Sequence, residues 1–363
     1  MKILINRTDA IGDTVLTLPM AQLIKEKYPE AEIYFLVSAV SQDIFINHPD
    51  VKQCFVFPKK KNKIQQLYFL LKLFRKEKFD VYFHVGGVHL PSMVAFLTGV
   101  KIRAGLLCKP SSFIWLNKGM RQYRSMVEMH EVEYNLNLLQ TLDINYNFKM
   151  RDRISPGIVM TVQEKNESFK NFNDSLSESQ KRMERELIFI HPGMTGHTLN
   201  WPCKNYGRYI LKMEEKYPGR FLFVLSHTPA DKRFIIPVER IIKKKNPNLW
   251  DEGVYLFNGA ARGLRDYMGT LSHAKLFLGP STGTTHLANA LGVKVIGLYS
   301  PIKVQSVHRW APFLRGEDKL RLIVPEVVCG EKFSCALEKC PYYECMSKIE
   351  VEWVIRESDQ LLK

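Results

Sequence analysis

Two doubly wound α/β domains in tandem, facing a central cleft, are the fold this sequence predicts. Three observations carry the expectation. At 363 residues the chain exceeds what one hydrophobic core ordinarily fills, and two domains of roughly 150–200 residues follow. Strand-type and helix-type apolar patterns alternate through its first part and again after residue 186, the rhythm of parallel sheets with crossover helices. Between the two runs the stretch QEKNESFKNFNDSLSESQKRMERE is polar and rich in Ser, Asn and Glu. It breaks the pattern and reads as an interdomain connection.

The first strand is KILINR (2–7), followed by a loop and a helix that ends near Tyr28-Pro29. AEIYFLVS (31–38) and VKQCFVF (51–57) are the second and third strands, the latter closed by Pro58. Residues 59–78 set Leu67, Leu70, Leu71 and Phe74 at helical spacing within a basic segment. FDVYFHVGG (79–87) is a further strand that runs into glycines. ELIFIHPG (186–193) restarts the rhythm, and RFLFVLS (220–226), GVYLFNG (253–259), AKLFLGP (274–280) and KVIGLYSP (294–301) continue it. Residues 346–363 form an amphipathic helix with Ile349, Trp353, Val354 and Ile355 on its apolar side. The domains are accordingly set at 1–165 and 185–345, with 346–363 as a C-terminal helix. No residue-level repeat relates the halves. Rossmann-like units of this kind bind ligands at the carboxyl ends of their strands. Periodicity alone does not separate a transferase from a dehydrogenase or a binding protein.

The composition, 45% apolar, 25% charged and 11% aromatic, is that of a globular protein. No segment approaches the roughly 20 uninterrupted apolar residues of a membrane span. The N-terminus MKILINRTDAIGD reads as a strand rather than a secretory signal, so a cytoplasmic location is the expectation. A formal charge of +15 points to nucleic acid, anionic lipid or phosphorylated substrates as partners, or to a basic face kept for solubility. Residues 59–78 carry Lys59, Lys60, Lys61, Lys63, Lys72, Arg75, Lys76 and Lys78 against one acid, Glu77. Residues 101–124 carry Lys101, Arg103, Lys109, Lys118, Arg121 and Arg124 with no acid. Four of the seven cysteines cluster at Cys329, Cys335, Cys340 and Cys345. Their spacing matches no standard zinc pattern, and metal, disulfide and packed-thiol readings all stay open.

Three strand-to-helix junctions carry candidate chemistry. In Gly279-Pro280-Ser281-Thr282-Gly283-Thr284-Thr285-His286 a strand feeds small hydroxyl residues and a glycine that open a helix. Unpaired N–H groups and the positive end of the helix dipole suit a phosphate or diphosphate there. Ser281, Thr282 and Thr284 add donors, Gly283 allows close approach, and His286 lies one turn in; an ordinary Ser/Thr cap is the competing reading. His191-Pro192-Gly193-Met194-Thr195-Gly196-His197 is a second such loop, without a dinucleotide fingerprint. Arg7-Thr8-Asp9-Ala10-Ile11-Gly12-Asp13 is the third. Asp13 suits either a helix N-cap or a general base acting on an attacking hydroxyl.

Taken in order, these motifs resemble glycosyltransferase family 9, the heptosyltransferases. The opening strand, G-D loop, T-L-P helix and P-x-A-x-I strand are similar to that family's N-terminal signature, and His130-Glu131-Val132-Glu133-Tyr134-Asn135 to its H-x-V-x-x-N helix. HPG…WP (191–202) and GPSTGTTHLANALGVKVIGLYSP (279–301) resemble its donor-binding segments. The resemblance implies a GT-B fold and inverting transfer from an ADP-activated heptose to a lipopolysaccharide core, without a metal or redox cofactor. It places the general base on Asp13 with Gly12 beside it in the loop, and donor binding on Gly12, Thr195, Gly196, Ser281, Thr282, Gly283, Thr284 and His286. Two positions depart from the pattern: Ser281 stands where an Asp is usual and Leu199 where a basic residue is usual. His197 or Lys204 is a candidate replacement for that cation, and Asp231 a candidate neighbour of the nucleoside. A phosphorylated acceptor on the inner face of the inner membrane gives the basic segments a use. Lys101, Arg103, Arg121 and Arg124 are the acceptor-side candidates, and Phe113, Ile114 and Trp115 could enter the lipid interface. Competing functions are a relative using another nucleotide sugar or glycan, and a non-catalytic nucleotide- or carbohydrate-binding protein. A nucleic-acid partner lacks any supporting motif.

Overall fold

The computed structural model describes residues 1–147, 150, 153–181, 184–194, 196, 199–313, 316, 318–329 and 335–363. Contacts divide the chain into two compact units, Met1–Arg124 with Glu128–Val159, and Ser125–Val127 with Met160–Lys363.

The first unit is built on β1 (Lys2–Arg7), β2 (Glu32–Val37), β3 (Gln53–Val56), β4 (Val81–Gly86), β5 (Ile102–Leu106) and β6 (Lys118–Met120). All pairs are parallel, in the order β3-β2-β1-β4-β5-β6. Central strands of a parallel sheet are covered on both faces and read as continuous apolar runs; Ile3, Leu4 and Ile5 of β1 are fully buried. One face packs Leu4, Tyr34, Leu36 and Tyr82 against Leu70 and Phe74, each such side chain contributing roughly 1.5–3 kcal/mol on burial. Leu70 and Phe74 belong to the helix Lys63–Glu77, which Asn62 caps by accepting from Gln65 N at 2.9 Å.

The second unit repeats the plan with β7 (Glu186–Ile190), β8 (Phe221–His227), β9 (Val254–Asn258), β10 (Ala274–Pro280), β11 (Val295–Leu298) and β12 (Leu320–Ile323). Its order is β12-β11-β10-β7-β8-β9, again all parallel. Counted from its own first strand this is the 3-2-1-4-5-6 order of the first unit. In each sheet the chain reverses direction once, between β1 and β4 and between β7 and β10, and such reversals leave a crevice outside the carboxyl ends of the two strands.

The expected doubly wound architecture is present, with three strands more than the sequence shows. β5 carries Arg103 and Gly105, β6 has three residues, and β12 carries Arg321, so none forms an apolar run. The polar stretch expected as a connection is also structured. Residues Val162–Asp174 form a helix with a Thr161/Glu164 capping box. Phe172 is buried edge-on to Tyr255 and Phe257, and Arg265 holds Glu164 through two hydrogen bonds of 2.9 and 2.8 Å. The apolar face is too narrow to register in so charged a segment. The expected terminal helix is Val351–Leu362. It packs on the helix Cys203–Lys216, with Tyr209 OH 2.9 Å from Ser358 Oγ, while Trp201 Nε1 donates to Ile349 O at 2.8 Å. Ile349 and Val354 are buried and Trp353 is partly covered. Among the described residues no helix is long and apolar enough to cross a membrane.

Candidate active site

In the first unit the candidate residues gather where the sheet order reverses. β1 delivers Arg7 to the carboxyl edge, and its side chain turns back into the sheet, only 4% exposed. A buried guanidinium needs partners, and Arg7 has three carboxylates. It ion-pairs with Asp9 at 3.1 Å, hydrogen-bonds Asp13 Oδ1 through Nη2, and reaches Glu131 Oε1 at 3.4 Å; Nη1 donates to Val85 O at 3.1 Å. Burial alone would lower the Arg7 pKa, but Asp13, Glu131 and Asp9 outweigh it and raise it well above the ordinary value. Burial pushes the Asp9 carboxyl up, with Arg7 opposing.

Asp13 lies in the first turn of the short helix Ile11–Val15, whose N-cap is Ala10. It is therefore not the N-cap the sequence allows as one reading. Its Oδ1 is held by Arg7, and the side chain is 22% exposed. Gly12 beside it is buried. Asn135 fixes this segment from the helix Glu131–Asn137, donating to Leu16 O at 3.0 Å and Thr17 Oγ1 at 3.3 Å.

The β4 end, HVGGVH, lies against the same loop. Asn6 Nδ2 bridges to His84 Nδ1 at 3.1 Å and Gly86 O at 3.0 Å, and Val88 N donates to Thr8 Oγ1 at 2.9 Å. Gly87 has φ +82°, and a Cβ there would stand 2.2 Å from Thr8 Oγ1, so only glycine fits. Burial, followed by the charges of His89 and Arg7, pushes His84 down to about 3, making it a neutral acceptor.

The four acceptor-side candidates do not form one patch. Arg124 belongs to the Arg7 cluster through Glu131 Oε1, at 2.5 Å from Nη1. Gln122 Oε1 and the Tyr134 ring also hold it. Arg103 is structural: Nε donates to Trp115 O at 2.8 Å, Nη1 to Val100 O at 2.6 Å, and the guanidinium covers Phe96. Lys101 precedes β5, at the edge of the sheet opposite Asp13, and is exposed. Arg121 is exposed and stacks over Phe113. Phe113 and Ile114 are exposed as expected, whereas Trp115 is half-buried. Arg7 and Glu131 emerge as site residues that sequence reasoning passes over. The available signal is a charge ending an otherwise apolar strand and an acid beside a helix cap.

The second unit places its two glycine-rich loops at the corresponding reversal. After β10, Thr282 is the N-cap of the helix Gly283–Ala290 without a side-chain cap bond. Its hydroxyl instead lies 2.9 Å from Thr284 Oγ1, and Thr285 Oγ1 donates to Pro280 O at 2.5 Å. Ser281, Thr282, Gly283 and Thr284 are all partly exposed and His286 is buried in the first turn. The leading N–H groups of such a helix have no partner within it and suit an anion. After β7, Gly196 is exposed in the left-handed region at φ +92°; Thr195 and His197 lie outside the described residues. His191 Nδ1 meets Ser226 O and Oγ, both at 3.0 Å, and burial lowers its pKa against the pull of Asp231. The buried Asp231 accepts from Thr228 N and Oγ1, each at 2.8 Å, and lies over Gly193.

Leu199 and Lys204 line a cavity of about 440 Å³ together with Cys329, Cys335, Cys340 and Cys345. None of the four is joined in a disulfide, Cys345 is buried, and burial raises its pKa. Among the described residues no group of three or more His, Cys, Asp or Glu side chains is set to hold a metal ion.

Comparison with known proteins gives a family match and fold-level likeness. The model of glycosyltransferase family 9 (heptosyltransferase) matches residues 68–322. A Haemophilus influenzae protein named as a glycosyltransferase is 24% identical over 318 residues, 86% of each chain. Lipooligosaccharide heptosyltransferase 2 of Campylobacter jejuni is 21% identical over 369 residues, spanning 100% of this chain and 99% of its own. The structure of the Escherichia coli ADP-heptose LPS heptosyltransferase II superposes with a TM-score of 0.76 at 18% identity, covering 100% of this chain and 98% of that one.

Proposed function

This chain belongs to glycosyltransferase family 9 (heptosyltransferase), and on that premise we propose that it moves a heptose from an ADP-activated donor to a lipopolysaccharide core with inversion, Asp13 acting as general base. That it is a glycosyltransferase follows from the family; donor, acceptor and base are the proposal. The observation that carries it is the Asp13 carboxylate in the short helix that follows β1, anchored through one oxygen by Arg7 and partly open to solvent.

In this reading Asp13 Oδ2 takes the proton of the acceptor hydroxyl. The oxygen attacks the anomeric carbon opposite the diphosphate, the bond to the diphosphate oxygen breaks, and ADP leaves. The negative charge growing on the leaving group meets the first N–H groups of the helix Gly283–Ala290 and the hydroxyls of Ser281, Thr282 and Thr284. Thr195, Gly196 and His286 complete the proposed donor set. These donors give the diphosphate a polar seat without a metal ion. The names of the relatives in C. jejuni and E. coli supply the donor and acceptor classes.

The acceptor's membrane setting fits the surface of the first unit. Lys59, Lys60, Lys61, Lys63, Lys72, Arg75, Lys76 and Lys78 are all exposed, as are Ile64 and Tyr68 among them. Each basic residue near an anionic surface is worth about 1 kcal/mol, which supports peripheral association with the inner face of the inner membrane.

The test is transfer by the purified chain from several nucleotide sugars to truncated lipopolysaccharide cores, with the product anomer read by NMR. ADP-heptose transfer with inversion, lost in Asp13→Asn, is expected. Preference for another nucleotide sugar overturns the donor assignment, and full activity of Asp13→Asn overturns the base. Equal binding of Lys59/Lys60/Lys61/Lys63→Gln and parent to phosphatidylglycerol vesicles overturns the membrane role.

A further inference from the structure

Arg7 presents a problem for a base that depends on it. A guanidinium bound to Asp13 orients the carboxylate, but it also stabilises the charged form and makes proton uptake harder. The geometry around Arg7 answers the problem. Its charge is shared among Asp13, Asp9 and Glu131, so no single carboxylate receives all of it.

Glu131 is the most deeply buried carboxylate of that set. It is 1% exposed, and a carboxylate buried that deeply is costly unless paired. An acid in the first turn of a helix is favourable, yet the capping work here is done by others. His130 accepts from Val132 N at 3.2 Å, and Glu133 Oε2 accepts from His130 N at 2.9 Å. Glu131 instead points its Oε1 at two cations, Arg124 at 2.5 Å and Arg7 at 3.4 Å. Arg124 is fixed independently by Gln122 Oε1 at 3.0 and 2.9 Å and by the Tyr134 ring.

We infer that Glu131 is a positioning residue for the transfer reaction. From a site fixed by Arg124, it holds the Arg7 guanidinium and shares its charge, so that Arg7 orients Asp13 through Oδ1 without suppressing proton uptake at Oδ2. This rests on Asp13 being the base. The charged groups around Asp13 are Arg7 and Asp9 from its own loop and Glu131 and Arg124 from the segment 124–131. Lys59 faces Asp9, and His84, His89 and Lys109 stand on the β4 side. Glu131 touches both Arg7 and Arg124.

The test compares pH profiles of kcat/KM for the full chain with three variants, using ADP-heptose and a truncated core. Removing the carboxylate in Glu131→Gln leaves Arg7 less compensated, so the acidic limb moves to lower pH, by about half a unit or more, and the plateau of kcat falls about 10-fold with donor KM nearly unchanged. Arg124→Gln removes a cation instead and moves the limb to higher pH. Glu131→Asp keeps the charge and recovers most of the limb position. Opposite shifts in the two charge-removing variants support the inference, because lost packing alone gives no such sign reversal. A parental limb and kcat in Glu131→Gln overturn it, as do losses of kcat and thermal stability with unmoved limbs. If Glu131→Gln does not fold, Arg124→Gln and Glu131→Asp decide: an unmoved limb in Arg124→Gln overturns the inference. Asp13→Asn is run alongside. Parental transfer by that variant sinks the base assignment, whereas an inactive Asp13→Asn with a parental Glu131→Gln sinks only the role of Glu131.

Discussion

Gly193 lies directly against the Asp231 carboxylate: a Cβ at position 193 would stand 2.6 Å from Oδ1. Asp231 cannot swing away cheaply, because Oδ2 is held by Thr228 N and Oγ1. Gly193→Ala is therefore expected to destabilise the protein by roughly 1–3 kcal/mol and to raise the donor KM. Gly196→Ala is the control from the same loop. Among the described residues nothing lies within 4 Å of its added Cβ, so its φ of +92° leaves backbone strain, about 1 kcal/mol, and donor KM should move less. Thermal unfolding and steady-state kinetics read both.

Thr282 and Thr284 hold their hydroxyls 2.9 Å apart at the start of the helix Gly283–Ala290. If they face the donor diphosphate, Thr284→Val should weaken ADP binding about 5–10-fold, the worth of one hydrogen bond. Calorimetric titration with ADP checks this. Unchanged affinity in Thr282→Val and Thr284→Val together would place the diphosphate elsewhere.

His84 sets a pH window for stability. Burial holds the folded imidazole neutral down to about 3, against 6.5 for the free side chain. Between those values the unfolded chain binds the extra proton, so stability falls as pH drops through that range. His84→Gln keeps an acceptor for Asn6 and loses the titration. Its acid-unfolding midpoint, followed by circular dichroism, should lie at lower pH than the parent's.

Glu164 works in the same sense, in a more acidic window. The Arg265 hydrogen bonds hold its carboxyl down to about 2, helped by Thr161 and opposed by burial. The contribution is present above the ordinary 4.5 and is lost as pH falls from there towards about 2. Arg265→Ala should cost about 1 kcal/mol at neutral pH and loosen the helix Val162–Asp174. Faster proteolysis within residues 161–181 is the readout, and an unchanged cleavage rate would show that Phe172 alone anchors the helix.

Much of this was legible in the chain. The interior strands β1, β2 and β4 in one sheet and β7, β8, β10 and β11 in the other are buried along most of their length and so appear as apolar runs. β5, β6 and β12 stand toward the sheet edges, where Arg103, Gly119 and Arg321 are tolerated and the run disappears. Asp13 and the Gly283 junction were readable because loops at strand ends keep small and acidic residues together. Arg7 and Glu131 were not, since they lie 124 positions apart and their pairing exists only once β1 and the helix Glu131–Asn137 are packed. The same reason scattered the basic residues of 101–124: β5 turns Arg103 inward while Arg124 joins the buried cluster.

The docking of Val351–Leu362 on Cys203–Lys216 also governs how the molecule is made. The first unit has its central strand at residues 2–7 and all six strands by residue 120, so the ribosome can release it as a foldable body while the rest is still being translated. The second unit cannot. Tyr209, Trp201 and Tyr217 find their hydrogen-bond partners only at Ser358, Ile349 and Asp359. Some 150 residues of parallel sheet must therefore wait, with apolar surface uncovered, for the chain that seals them. A ribosome stalled before residue 349 should carry a finished first unit and an unfinished second unit, the species on which chaperones and proteases act.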